Sequence, residues 1–293
     1  MKAERITKKT EKKAQKKIVR KDMLRKLIKY DRRAMLRLLG ILYLFAVAFS
    51  ALSGLFHRLL IRGAEEVQAA DAVFIAAAIL YILSFIACIG VAFFGSVAHY
   101  FRDLLSPDGY LTLSIPASPE EHILSKTIAG AEMNFCTLLV CAFSLLLGGV
   151  VSGDVSFFQI GDFFRGLGSM IAAEPAGALL FLTEGVFLFV FVVLLAGCPF
   201  YAWGCIGRVQ KKNFFLIAVG GLHLLLTVLL QSVFWDFFVA NFVGWIDGIF
   251  YGIFSADART HVLNWCCIAV AAGMHAVGFL IQRYVLYNKL DLV

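Results

Sequence analysis

Six long apolar runs separated by polar connections dominate the chain, at 39–56, 72–97, 133–152, 176–203, 214–235 and 262–282. Each is near or above the ~20 residues that a helix needs to cross the hydrocarbon core of a bilayer. Among Asp, Glu, Lys and Arg, only Glu184 falls inside any of them. The pattern therefore predicts an all-α integral membrane protein with six transmembrane helices. Ahead of the first run, residues 1–38 follow a different rule. Lys8/Lys9, Lys12/Lys13, Lys16/Lys17 and Arg20/Lys21 recur every fourth residue and make one basic helical stripe. From Met23 onward, Leu24, Leu27, Ile28, Ala34, Met35 and Leu38 give an amphipathic pattern that Asp31 interrupts. Residues 22–38 are expected to form an N-terminal basic amphipathic interfacial helix, with 1–21 a charged tail. The resulting division is a basic cytoplasmic segment, 1–38, and a six-span domain, 39–293.

Charge then orients the spans. Residues 1–38 hold 16 of the 27 Lys and Arg. With the N-terminus inside, the inner connections and termini carry 23 basic residues and the outer ones 4, namely Arg58, Arg62, Arg165 and Arg259. Basic residues accumulate on the cytoplasmic side of membrane proteins, so both termini and the connection at 98–130 are expected to be cytoplasmic. The basic first forty residues carry no signal-peptide cleavage pattern. Among the outer connections, 154–175 alternates Phe157, Phe158, Phe163, Phe164, Leu167 and Ile171 with few charges, as an interfacial helix does. The segment 236–261 holds about ten apolar residues between Asp236 and Asp247, too few to span, and suits a re-entrant or interfacial piece. Trp235, Trp245 and Tyr251 there equally fit an aromatic belt at headgroup depth.

Composition agrees: 60% of the 293 residues are hydrophobic and 16% charged, against roughly 45–50% and ~25% in soluble domains. Enzyme signatures are missing. No Gly-x-x-x-x-Gly-Lys-Ser/Thr phosphate loop and no His-Glu-x-x-His occur. Ala51-Leu52-Ser53-Gly54 is similar to a membrane serine protease motif but has alanine where glycine is needed. The seven cysteines lie in or beside apolar runs without a Cys-x-x-Cys pair, as small buried hydrophobes do. The six histidines are scattered. No metal site and no cofactor is expected. Lysine clusters beside a span point to anionic inner-leaflet lipid as the partner of 1–38 rather than to nucleic acid. Glu184 has two readings: a carboxylate facing the transport pathway, or a solvated group near the outer rim. Pro199 should kink the fourth span. Gly148-Gly149, Gly220-Gly221 and Ala271-Ala272-Gly273 permit close helix approach.

The connection at 98–130 carries the densest local signals. Ser106-Pro107-Asp108-Gly109 has turn chemistry. Ser118-Pro119-Glu120-Glu121 has a capping residue, a proline at the first helical position and Glu121 to complete a capping box. Between them, Tyr110 to Pro116 alternates like a short strand, while Leu111 and Ile115 would share one face of a short helix. Two spans are thus joined by a compact, capped elbow.

These residues carry a family resemblance. Asp108-Gly109-Tyr110-Leu111, Ile115-Pro116, Ser118-Pro119 and Leu124-Ser125-Lys126 resemble the cytoplasmic loop between the second and third spans of ABC exporter permeases, the membrane subunits of type-2 ABC exporters. The Gly-Tyr-Leu-Thr-Leu form is similar to a Gram-positive branch. Cys205-Ile206-Gly207-Arg208 with Lys211-Lys212-Asn213, and the tail from Arg283 to Leu292, are weaker echoes. The resemblance implies a coupling helix docked on a separate ABC ATPase subunit. Its residues would be Asp108, Gly109, Tyr110, Leu111, Ile115, Pro116, Ser118, Pro119, Glu121 and Lys126. It also implies a homodimer or heterodimer in the bacterial plasma membrane, exporting an amphiphilic or peptide-like substrate with no catalytic residues of its own. Two other classes remain open: a membrane-embedded lipid-acting enzyme, which needs a convergent acid, base or metal cluster, and a non-transporting scaffold or sensor.

Overall fold

A computed structural model describes residues 2–61, 68–106, 109–209, 214–251 and 258–288. Among these residues the chain is helical, with no strand. The helices are α1 (Lys2–Ile61), α2 (Gln68–Tyr100), α3 (Gly109–Leu113), α4 (Pro119–Ser152), α5 (Phe157–Ala173), α6 (Pro175–Leu188), α7 (Cys198–Val209), α8 (Phe214–Tyr251) and α9 (Ala258–Asn288). Five stretches among the described residues are long and apolar enough to cross a membrane: Asp22–Leu59, Ala72–Leu105, Pro119–Ser152, Pro175–Gly207 and Thr260–Asn288. The expected fifth run at 214–235 lies in α8, whose described apolar stretch, Gly221–Val233, is shorter. Leu44, Ile82, Phe143, Leu225 and Leu280 are exposed along these helices, as side chains facing lipid are.

The first helix differs from its expected outline. Residues 22–38 are not a separate element, because α1 runs unbroken for 60 residues. No glycine occurs before Gly40 and no proline before Pro107, so nothing local stops propagation. At 1.5 Å per residue such a helix is about 90 Å long, some three times the thickness of a hydrocarbon core. Its buried stripe is Leu27, Asp31, Met35, Leu39, Ala46 and Ser50. Asp31 therefore does not interrupt the amphipathic face; it belongs to the buried one.

That stripe packs on α2 and α4. The closest approach is made by small residues at four-residue spacing on both helices, Ser50 and Gly54 against Ser144 and Gly148. A Cβ on Gly54 would stand 2.5 Å from the Gly148 carbonyl oxygen. The Ser50 hydroxyl donates to the Ser144 carbonyl, and Tyr81 from α2 reaches the Ser144 hydroxyl at 3.2 Å. With no hydrophobic drive between helices in lipid, backbone approach and such hydrogen bonds supply the association. Ser53 and Gly54 thus sit beside a helix contact and line a small pocket with His57 and Asp154, whose side chains lie 3.4 Å apart.

The fourth span is interrupted. After α6 come a π-helical turn, Phe189–Leu194, and an irregular turn before α7. Proline at 199 has no N–H to give and crowds the carbonyl four residues back, so the chain unwinds ahead of Pro199 and α7 starts afresh around it. The freed carbonyls find partners: Asn134 donates to Leu194 at 3.1 Å, and the His275 ring lies 2.8 Å from the Phe191 oxygen. On the other side of α6, α5 is capped by Ser156 and Gln159, whose side chains bond each other's backbone N–H at 3.3 and 2.8 Å. Farther on, α8 continues as a helix through Tyr251, so 237–246 is not set off from the fifth apolar run by a loop.

The Gly54 contact gives a direct test of α1–α4 packing. Gly54→Leu forces the two backbones apart and is expected to lower the unfolding temperature in detergent by several degrees, an overpacking cost of about 1–3 kcal/mol. Gly40→Leu, which meets nothing within 4 Å, is expected to leave it unchanged.

Candidate functional site

The elbow is built between the ends of α2 and α4. A π-helical turn, Phe101–Leu105, follows α2, and the Gly109 N–H closes a turn on the Ser106 carbonyl at 3.0 Å. α3 follows, so the region after Gly109 is helical rather than extended. Gly109 has no positive φ. Its glycine is needed for proximity instead, since a Cβ would lie 2.9 Å from the Leu104 oxygen. A tight turn then brings the Ala117 N–H to the Ile115 carbonyl at 2.6 Å, around Pro116. The α4 cap forms as the sequence predicts. Glu121 N–H donates to Ser118 Oγ at 3.3 Å, Ser118 N–H donates to Glu121 Oε2 at 2.7 Å, and Pro119 takes the first helical position.

The ten elbow residues divide by where they face. Leu111, 57% exposed, and Pro116 point outward. Ile115, Ser118 and Pro119 are half-buried, Gly109 is buried, and Glu121 and Lys126 are turned into the protein. Asp108 lies outside the described residues, and Tyr110 enters through the backbone of α3. Beneath α3, Leu113 packs on a core of Tyr100, Leu104, Leu105, Tyr201, Cys205 and Val285. Tyr100 and Tyr201 stack with centroids 4.3 Å apart, and the Tyr100 hydroxyl meets Cys205 Sγ at 3.2 Å. Arg283 of α9 pairs with Glu120 at 2.9 Å. The stretches around Cys205 and Arg283, far apart in sequence, therefore meet at the elbow.

Lys126 is the centre of a buried ion network. The residue is 3% exposed. Its ammonium lies 2.5 Å from Asp31 Oδ1 of α1 and 2.5 Å from Asp103 Oδ2 of the π turn. His99 Nε2 stands 3.2 Å from Asp31 and 3.3 Å from Asp103. Arg102, which can only donate, reaches His99 Nδ1 at 3.2 Å. The Lys126 ammonium stands 3.2 Å from His99 Nε2, so each ring nitrogen faces a cationic donor. Two carboxylates, the Lys126 ammonium, the Arg102 guanidinium and the His99 ring are thus gathered at one point. Oxygen and nitrogen atoms of Asp31, His99 and Asp103 converge within 4.8 Å, a spacing that suits a metal ion. The Lys126 ammonium already occupies the cation's place between the carboxylates, so the chain carries its own cation there.

A second polar cluster surrounds Glu184. Its side chain is 0% exposed, which overturns the solvated-rim reading. His261 Nδ1 lies 3.0 Å from both carboxylate oxygens, and Asn264 donates to Oε2 at 2.6 Å. The wholly buried Asn264 Oδ1 has no hydrogen-bond partner. The acid is held between α6 and α9 rather than isolated.

The sequence shows the cap and the turn; Lys126, expected there as an ATPase-coupling residue, is instead buried among groups that the sequence did not connect with it. Asp31 was legible as an acid at four-residue spacing from Leu27, Met35 and Leu39, and His99 and Asp103 as an i, i+4 pair. His261 escaped because it sits just outside the sixth apolar run. Comparison of the chain with protein-family models, curated proteins and solved structures finds no match.

Removing the central cation leaves the buried Asp31 without its closest opposite charge and the half-buried Asp103 with only Arg102, a loss of up to about 3–5 kcal/mol for a buried pair. Lys126→Met is therefore expected to lower detergent thermal stability sharply. Lys126→Met combined with Asp31→Asn and Asp103→Asn is expected to recover most of it. Thermal unfolding of the purified variants checks both.

Proposed function

We propose that this chain is the permease subunit of an ABC exporter, working on separate ATPase subunits. In this reading it has six spans, cytoplasmic termini and a cytoplasmic elbow, and lies in the bacterial plasma membrane. It pairs with a second copy or a related permease, since a single set of largely apolar helices encloses no polar pathway. The basic first 38 residues lie at the inner leaflet. The substrate is amphiphilic or peptide-like, in keeping with the apolar interior.

One observation carries the reading: a short helix, α3, with Leu111 facing outward, and the exposed Pro116 in the turn after it stand between two long apolar helices and are fastened to them. The capping box ties the elbow to α4, Leu113 seats α3 on the core, and the Lys126 network joins α1, the α2 end and α4. A push on α3 from an ATPase subunit would move three long helices together. That is the mechanical requirement for converting nucleotide-driven closure of the ATPases into a change of access. The chain has no phosphate-binding loop, so hydrolysis belongs to the partner.

Leu111→Asp is expected to leave membrane levels normal while abolishing co-purification of an ABC ATPase that accompanies the wild-type chain. Ser118→Ala with Glu121→Ala, costing about 0.5–2 kcal/mol of helix capping, is expected to weaken the same association. If no ATPase accompanies the wild-type chain, or Leu111→Asp keeps a full complement, the permease reading is wrong. Glu184→Gln keeps the shape of the α6–α9 contact but removes its charge. In the reconstituted complex it is expected to reduce substrate-stimulated ATP hydrolysis several-fold at unchanged expression, and unchanged hydrolysis would count against a pathway role.

A further inference from the structure

Between α1 and α2, toward the elbow, lies a trough of about 370 Å³. Its walls are Leu38, Leu39 and Val91, and Gly95 forms part of its floor. A Cβ at Gly95 would meet only Val91, at 3.7 Å, so the glycine leaves space rather than serving a helix contact. One end of the trough is different in kind, being closed by His99 and Arg102. The Arg102 side chain is 71% exposed. Arg37 is exposed on α1 beside Leu38 and one turn beyond Ala34, which also lines the trough. Helix side chains lean toward their own N-terminus, so Arg37 reaches back toward the level of Arg102. Tyr30, also exposed, lies two turns before Arg37 on the same α1 face, where an amphipathic ring suits headgroup depth.

From this geometry we infer that the α1–α2 trough is a stoichiometric binding site for an anionic phospholipid. One acyl chain lies along Leu38, Leu39, Val91 and Gly95, and the phosphate sits between Arg102 and Arg37. The asymmetry of the trough selects this ligand: its length offers no charge to bind, and its end offers Arg102, with Arg37 exposed on the adjoining face of α1. A zwitterionic lipid fits the apolar part equally well but brings its own cation to the same end. The site differs from attraction of the lysine-rich tail to a charged leaflet, which is diffuse and holds no chain. It does not depend on the transport reading. It does place a lipid phosphate beside Arg102, whose other contacts are Asp103 and His99 of the Lys126 network.

Native mass spectrometry of the detergent-purified chain, titrated with phosphatidylglycerol or phosphatidylcholine, tests the assignment. The wild-type chain is expected to retain one phosphatidylglycerol about tenfold more tightly than phosphatidylcholine. Arg102→Gln is expected to erase that preference. Because Arg102 also donates to His99, Arg37→Gln serves as a second variant at an exposed position, expected to weaken phosphatidylglycerol about threefold. Gly95→Leu fills the trough and is expected to reduce retention of both lipids. Changing Lys8, Lys9, Lys12 and Lys13 to Gln is expected to change neither. Equal retention of the two lipids by the wild-type chain would overturn the inference. So would a preference that survives Arg102→Gln and Arg37→Gln but disappears with the four lysines.

Discussion

A buried ammonium held between two carboxylates is the constraint on which the elbow end of this protein depends. Taking charges out of water costs several kcal/mol per ion, and the cost is recovered only with close opposite charges and satisfied hydrogen bonds. Lys126 can therefore be where it is only if Asp31 and Asp103 are both present at 2.5 Å. These residues come from three places in the chain: the middle of α1, the π turn after α2 and the second turn of α4. Meeting that demand fixes the relative register of three helices at one end of the bundle. His99 and Arg102 add further polar contacts around the two carboxylates.

Away from this end the same helices are held by another means. Where α1 meets α4 near Gly54 and Gly148, the contact is backbone to backbone, with Ser50 and Ser144 hydrogen-bonded beside it. Small residues and polar bonds at one level, ions at another, give α1 two unlike fastenings along its length. The aromatic stack of Tyr100 on Tyr201 adds α7 to the group, and the absence of a side chain at Gly204 lets the Phe101 ring lie directly against it. The elbow is thus supported from below by four long segments, while α3 itself remains accessible.

The interrupted fourth span shows how a local defect can be absorbed. Unwinding ahead of Pro199 frees carbonyls at a depth where no water satisfies them. Asn134 of α4 and His275 of α9 supply the missing partners, consistent with irregular backbone surviving in a membrane only where protein surrounds it. Glu184 follows the same logic one turn before the π segment. An acid at that depth persists because His261 and Asn264 come to it from α9.

Much of this was fixed locally and could be read from the residues alone. Apolar runs long enough to span require helices in lipid, because no other open structure satisfies the backbone there. Ser118, Pro119 and Glu121 encode their cap within four residues, and Ser106 to Gly109 encode their turn, since both use neighbours in sequence. The absence of glycine and proline before Gly40 equally implied the unbroken α1, although the change from basic to apolar composition at residue 39 suggested a boundary. What the sequence could not determine were the pairings across distance. Asp31 read as a flaw in an amphipathic stripe, Glu184 as a lone acid, and His99 and His261 as scattered histidines. Each acquires its meaning from a partner at least 68 residues away. Composition and periodicity carry no information about which helix faces which. That choice falls to tertiary packing, where burying a charge is tolerable only opposite its counterpart.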